Sequence, residues 1–168
     1  MLPEDDVRET PPELFESLDE RFSFNLDVCA TPANAKCQQF YTEHAYHDTV
    51  EVQPGLNGLT GNWAGARAFC NPPFSDIVSW VLKAWDSDAD LVVMLVPATR
   101  TEQPWWQEAV EHLRDGKADP LPGGWSSFTT EFLQGRTHFL KDGAPILDPK
   151  TGRRSSPKFG CVLLIWQK

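Results

Sequence analysis

No apolar run in this chain of 168 residues approaches the ~20 residues that a membrane-spanning helix needs. Its first residues, Met1-Leu2-Pro3-Glu4-Asp5-Asp6, are acidic and hold no apolar segment, so a secretory leader is not expected. The four cysteines, Cys29, Cys37, Cys70 and Cys161, are scattered and form no Cys-x-x-Cys pair. That spacing makes the usual zinc and thioredoxin-like readings poor ones. It leaves reduced thiols of a cytoplasmic protein, several of them buried as small apolar groups, as the expectation. A Gly-x-Ser-x-Gly elbow is missing, and so is a P-loop of the Gly-x-x-x-x-Gly-Lys kind. Neither a serine hydrolase nor a P-loop protein is supported. There is no internal repeat and no low-complexity tract.

Positive charge is scarce and uneven. Residues 1–99 hold 5 Lys/Arg against 16 Asp/Glu, a net of −11, within a chain whose total is −9. From Arg136 onward there are 7 basic and 2 acidic residues, a net of +5. The balance argues against indiscriminate nucleic-acid binding, and a polyanion would meet the C-terminal part first. Arg136, Arg153, Arg154 and Lys158 are the candidates for that contact. The competing reading is that Arg153, Arg154 and Lys158 solvate a loop.

The most informative residues are Asn71-Pro72-Pro73-Phe74, between the apolar Ala68-Phe69-Cys70 and an amphipathic stretch that begins at Ser75. The tetrapeptide suits the methylation of a planar amine, whose lone pair is delocalised into its ring. The Asn71 side-chain oxygen and the Pro72 carbonyl can each accept a hydrogen bond from the NH2 group. Two such acceptors favour positive charge on nitrogen as it attacks a methyl donor. Pro72 and Pro73 stiffen the turn, because each fixes its own φ and restricts the residue before it. Phe74 offers a face on which an extruded base can stack. The bland alternative is a plain turn in a chain with 14 prolines. At average residue usage the tetrapeptide arises by chance in well under ~1% of chains this size.

At this length, with 40% hydrophobic residues, residues 1–168 are read as a single domain with 1–9 as a flexible N-terminus. Thr10-Pro11-Pro12-Glu13 predicts a helix start with a Thr cap, and Leu14, Phe15, Leu18 and Phe22 give the helix one apolar face. Strands are predicted at 24–28, 39–42, 67–70, 91–96, 135–140 and 160–166, with Asp142-Gly143 a turn between the last two. Helices are predicted after Ser75 and over 104–113. The pattern implies an α/β fold with a mainly parallel sheet and an antiparallel hairpin at its edge. Ligands of such sheets bind at the carboxyl ends of the strands, where Asp27, Asn71 and Pro97 fall.

Taken in order, these pieces resemble the phage-type DNA adenine methyltransferases, the Dam family of bacteriophages and prophages. The resemblance covers roughly residues 10–165. It rests on Thr10-Pro11-Pro12, Leu26-Asp27-Val28-Cys29-Ala30, Asn34-Ala35-Lys36-Cys37, Trp63, Asn71-Pro72-Pro73-Phe74, the run ending Val96-Pro97-Ala98, Gly135-Arg136 and Ser156-Pro157. It implies a Rossmann-like methyltransferase fold, S-adenosylmethionine as donor, and adenine in double-stranded DNA as target. It makes Asn71, Pro72, Pro73 and Phe74 the catalytic motif. Thr10, Pro11, Asp27, Cys29, Ala30 and Asn71 become the donor-binding residues, and Arg136 falls in the family pattern. The aromatic-x-Gly-x-Gly loop of the wider methyltransferase class is absent after Asp27. Glu43 and Asp48 are the candidates for a ribose-binding carboxylate.

Two further features carry bland readings. His44 and His47 stand three apart without a third ligand set, as in a polar loop. Trp105-Trp106 suits core or edge packing better than stacking on nucleic acid. Two rival functions share the motif or the fold: methylation of an RNA adenine or a glutamine amide, and nucleic-acid binding without catalysis.

Overall fold

The computed structural model describes residues 8–42, 57–155, 157 and 159–168. Helix α1 (Pro12–Phe22) opens with Pro11 at its N-cap and Pro12 as its first residue. A proline there forfeits an N–H that the helix leaves unpaired in any case. The sequence predicts a cap from Thr10, but no side chain caps this helix. Thr10 lies one residue too early and its hydroxyl is used elsewhere. The helix stops at Ser23, whose φ of 53° is left-handed and whose N–H closes on the Asp19 carbonyl at 2.8 Å. Phe15, Leu18 and Phe22 form its buried face.

The main sheet has the order β1-β2-β3-β7-β4. β1 (Leu26–Asp27), β2 (Arg67–Cys70) and β3 (Leu91–Pro97) run parallel. β7 (Cys161–Gln167) lies antiparallel between β3 and β4 (Ser127–Phe132). The sheet is therefore mixed, with two parallel and two antiparallel pairings. This corrects the expectation of a mainly parallel sheet with a hairpin at its edge. The C-terminal strand enters the middle of the sheet, and its outer partner is β4 rather than 135–140. Every residue of β3 is buried, as is all of β7 but Gln167, which accounts for their unbroken apolar character. The Asp142-Gly143 turn is present. It joins β5 (Leu140–Lys141) to β6 (Ala144–Pro145) in a separate two-stranded sheet. Both turn residues have positive φ, 51° and 74°, as a tight hairpin requires.

Helix α2 (Ile77–Asp86) follows the Asn-Pro-Pro-Phe turn through one 3-10 turn and buries Ile77, Trp80, Val81, Ala84 and Trp85. Helix α3 (Pro104–Trp106) runs on into a wider turn at Gln107–Glu111. Trp105 and Trp106 are both buried, which is the core-packing reading. On the far side of β1, Asp27 makes a parallel bridge to Phe40 and exchanges backbone bonds with Gln39 and Tyr41. That single bridge is what the predicted strand over 39–42 amounts to. The segment 57–63 closes over this corner. A Cβ on Gly58 would run into the Val28 carbonyl and the Trp80 ring, while Trp63 donates its Nε1–H to the Gly58 carbonyl at 2.8 Å. Among the described residues no helix is long and apolar enough to cross a membrane.

Candidate active site

β2 ends at Cys70, so Asn71 emerges at the carboxyl edge of the sheet, just past the end of β1 and alongside β3, which runs on to Pro97. Pro72, Pro73 and Phe74 are buried behind it. The side-chain nitrogen of Asn71 donates to the Arg8 carbonyl at 2.6 Å and to the Thr10 hydroxyl at 3.1 Å. These contacts fix which end of the amide is which. With the amide reversed, its oxygen would face the Arg8 carbonyl, acceptor against acceptor. The other end, Oδ1, is buried and meets no donor among the described residues. A buried acceptor left unpaired costs about 1–3 kcal/mol. The site therefore holds a carbonyl oxygen that an incoming N–H would satisfy.

Phe74 sits in an aromatic corner. The rings of Phe139 and Phe159 each meet it edge-on, with centroids 5.8 Å away. The Arg8 guanidinium lies 5.0 Å from the centroid of Phe74 and 5.6 Å from that of Phe159. Its attraction to the ring faces is a cation–π contact. Arg100, three residues after β3, donates to the Phe74 carbonyl at 3.3 Å. The segment 135–140, predicted as a strand, instead passes across this end of the sheet and delivers Phe139 to Phe74.

Asp27 is buried at the end of β1, in register with Phe69 of β2. Its two oxygens accept the backbone N–H groups of Cys29 at 3.3 Å and Lys36 at 3.0 Å. The carboxyl thus folds the loop after β1 around itself. Burial pushes its pKa up to about 7, against the two backbone bonds that pull it down. Cys29 and Ala30 follow, half-buried, with the Ala30 N–H on the Tyr41 carbonyl at 3.0 Å. A cavity of about 600 Å³ opens between α1 and residues 36–39, with Phe15, Asp19, Phe24 and Lys36 in its wall. None of Thr10, Pro11, Cys29, Ala30 or Asn71 lines it.

Three of the four thiols are poorly suited to nucleophilic attack. Burial raises Cys70 well above its ordinary value, Cys37 to about 12 and Cys161 to about 11. Such groups stay protonated at neutral pH and do not attack carbon.

The sequence-predicted residues therefore fall into two groups. Asn71, Pro72, Pro73, Phe74, Thr10 and Pro11 meet at one point, with Asp27, Cys29 and Ala30 on the neighbouring strand end. The described basic candidates are exposed at the surface. Arg136 is exposed and donates to the Pro157 carbonyl at 2.7 Å. Arg153 and Arg154 are exposed on a turn that Asp148 caps by accepting the N–H groups of Lys150 and Thr151. Lys158, Glu43, Asp48, His44 and His47 lie outside the described residues. Sequence reasoning missed Arg8, Glu9 and Arg100. For Arg100 a signal existed, since it follows the carboxyl end of a buried parallel strand. For Arg8 and Glu9 there was none, because neither belongs to a recurring pattern.

The family described as DNA N-6-adenine-methyltransferase (Dam) matches residues 2–167. A protein of Haemophilus phage HP1 (strain HP1c1), described as DNA N-6-adenine-methyltransferase, is 29% identical over 115 residues. The match takes in 66% of this chain and 60% of that protein. The chain belongs to the Dam family.

Asp27 generates a prediction about pH. Its carboxyl holds a proton more tightly in the folded chain, at about 7, than at the ordinary value of 3.8. Between those values the unfolded chain has lost a proton that the folded chain keeps, so stability falls as pH rises. Asp27→Asn removes the titration. Urea unfolding should show the native protein losing stability relative to Asp27→Asn as pH rises from about 4 to about 7. A constant difference across that interval would mean that Asp27 is ionised throughout.

Proposed function

We propose, with that family membership as the premise, that this chain methylates the exocyclic amine of adenine in double-stranded DNA, with S-adenosylmethionine as donor. The observation that carries the reading is Asn71, gripped by its nitrogen and presenting a buried, unpaired Oδ1 at the carboxyl end of β2. A planar amine has two N–H groups to give. One meets Asn71 Oδ1 and the other the Pro72 carbonyl. Both acceptors are neutral, so they bind the amine and favour charge on its nitrogen. As the new N–C bond formed, the donor's S–C bond would break to leave a neutral thioether, and the surplus proton of the methylated amine would pass to solvent. The acceptors are set in place before the base arrives, which is where electrostatic help is worth most.

The target base is extruded from the duplex and stacks on Phe74. The Arg8 side chain covers that ring, so it must swing aside as the base enters. The donor, when bound, supplies a methyl group on an electron-poor sulfur. Thr10, Pro11 and the Asp27-to-Ala30 loop flank Asn71 and would hold it. Asp27 serves by shaping the loop, since both its oxygens already carry backbone N–H groups. A donor with cationic sulfur suits a chain whose residues 1–99 carry 16 acidic against 5 basic side chains. The duplex approaches over the exposed Arg136, Arg153 and Arg154, in the part of the sequence, from Arg136 onward, where basic residues outnumber acidic ones and to which Lys158 also belongs.

Two experiments test these statements. Labelled donor is incubated with unmodified DNA, RNA or carrier protein, and the product is digested and analysed. Label in N6-methyladenine from DNA is expected, and Asn71→Ala should lower its rate by about 10²–10³ with the fold intact. Label found only in RNA or protein, or an Asn71→Ala variant as fast as the native chain, contradicts the reading. Basic side chains that neutralise phosphates release counterions. The double change Arg153→Ala with Arg154→Ala should therefore flatten the slope of log affinity against log salt by about 0.9 for each phosphate no longer neutralised, alike for all sequences. An unchanged slope would return both arginines to a solvating role.

A further inference from the structure

Residues 8–10 form a strap between the Asn-Pro-Pro-Phe turn and the β5–β6 hairpin. On one side, the Arg8 carbonyl and the Thr10 hydroxyl hold the Asn71 amide. On the other, Glu9 and Leu140 exchange both backbone hydrogen bonds, each 2.9 Å long. The Glu9 side chain then reaches the hairpin turn. Oε1 accepts the Asp142 N–H at 3.0 Å, and Oε2 accepts the Gly143 N–H at 3.1 Å. Two adjacent amide donors in a tight turn form a small anion-binding concavity. Glu9 fills it, and hydrogen bonds to an ionised carboxylate are stronger than neutral ones.

We infer that Glu9 is a positioning residue for methyl transfer: its carboxylate anchors the strap to the β5–β6 hairpin and so sets the orientation of Asn71. The inference rests on the reading of Asn71 given above. The two atoms that grip Asn71 belong to the residues on either side of Glu9. Their placement depends on where Glu9 is fixed, and the hairpin turn is where its side chain is fixed. Without that anchor, the strap loses its side-chain tie to the hairpin turn and keeps its backbone pairing with Leu140, the Arg8 side chain on Phe74 and Phe159, and its continuation into α1. Asn71 then loses its preset direction and not its chemistry. The hydrogen bonds of Glu9 run to Leu140 and the hairpin turn and not to Asn71 itself, so its effect on the acceptor passes through the neighbouring Arg8 carbonyl and Thr10 hydroxyl. The same linkage makes the hairpin a lever on the active site, since any shift of the Asp142-Gly143 turn passes through Glu9 to Asn71.

The test compares the native chain with Glu9→Ala and Glu9→Gln in single-turnover methylation at saturating DNA and donor. Glu9→Ala should lower the rate constant by about 10- to 100-fold, as loss of alignment does. The reaction amplitude and the KM for DNA should change less than about twofold, on the reading that alignment and not binding is lost. Glu9→Gln retains one acceptor and should fall between the two. A purely structural role would cut the amplitude, through misfolded protein, and leave the rate constant alone. An unchanged rate constant, or a loss confined to KM, overturns the inference. A readout independent of turnover is the Asn71 side-chain amide resonance, identified by its disappearance in Asn71→Asp. It should be sharp and hydrogen-bonded in the native chain, and shifted or broadened in both Glu9 variants. If the native chain methylates no DNA, the proposed function fails while this resonance still decides the clasp. An Asn71 resonance identical in all three proteins sinks it.

Discussion

Two hydrogen bonds from one amide nitrogen organise the candidate active site. Asn71 gives its NH2 to the Arg8 carbonyl and the Thr10 hydroxyl, and everything useful about its other end follows. An asparagine free to turn would offer a donor half of the time and an acceptor the rest. Held as it is, it offers an acceptor alone, in a place shut off from water. The cost of leaving that oxygen unpaired, about 1–3 kcal/mol, is met by the surrounding structure. It is recovered when a donor arrives, which is how a preorganised site differs from solvent.

The fold supplies the fixed points. β2 lies between two parallel neighbours, and its end cannot drift without disturbing both. Pro72 and Pro73 stiffen the exit from the strand, and α2 locks the far side of the turn with Ile77, Trp80 and Val81 in the core. The strap over residues 8–10 is different in kind. It owes its place to backbone pairing with Leu140, to one carboxylate on a hairpin turn and to the Arg8 side chain on the aromatic corner. A rigid acceptor is thus aimed by a lightly held segment. The Arg8 side chain, lying on Phe74, belongs to the same segment and is the part of it that the base has to displace.

Much of this is legible in the residues because the decisive signals are local. Asn71-Pro72-Pro73-Phe74 stands out by composition and by its position after a buried strand. The tight turn at Asp142-Gly143 follows from the positive φ its residues tolerate. What the sequence hides depends on tertiary placement. β4 is an edge strand in which only Phe128 is deeply buried, so no alternation marks it. Residues 135–140 look strand-like because they are extended and partly apolar, yet Phe139 serves the aromatic corner rather than the sheet. Thr10 reads as a helix cap from its neighbours, but the helix begins at Pro12 and the hydroxyl turns to Asn71. The strap acts on Asn71 through a backbone carbonyl and a hydroxyl. Backbone carbonyls carry no sequence signature. Residues 1–9 read as a flexible N-terminus, and nothing in their pattern singles out Arg8 or Glu9, which are held by hydrogen bonds; residues 1–7 lie outside the described residues.

The measurement that bears most directly on the central claim is the pH dependence of methyl transfer by Asn71→Asp relative to the native chain. Aspartate keeps an acceptor for the amine. In its ionised form, however, it sets an oxygen where the Asn71 nitrogen lies 2.6 Å from the Arg8 carbonyl. Protonated, it can donate to that carbonyl and accept with its other oxygen, as asparagine does. Burial and the facing carbonyl both raise the pKa of such a group. The variant should therefore be impaired at neutral pH, and its rate relative to the native chain should climb as pH falls. A ratio that is flat and close to one would contradict the account, because it would show that the grip on the Asn71 nitrogen does not set the acceptor.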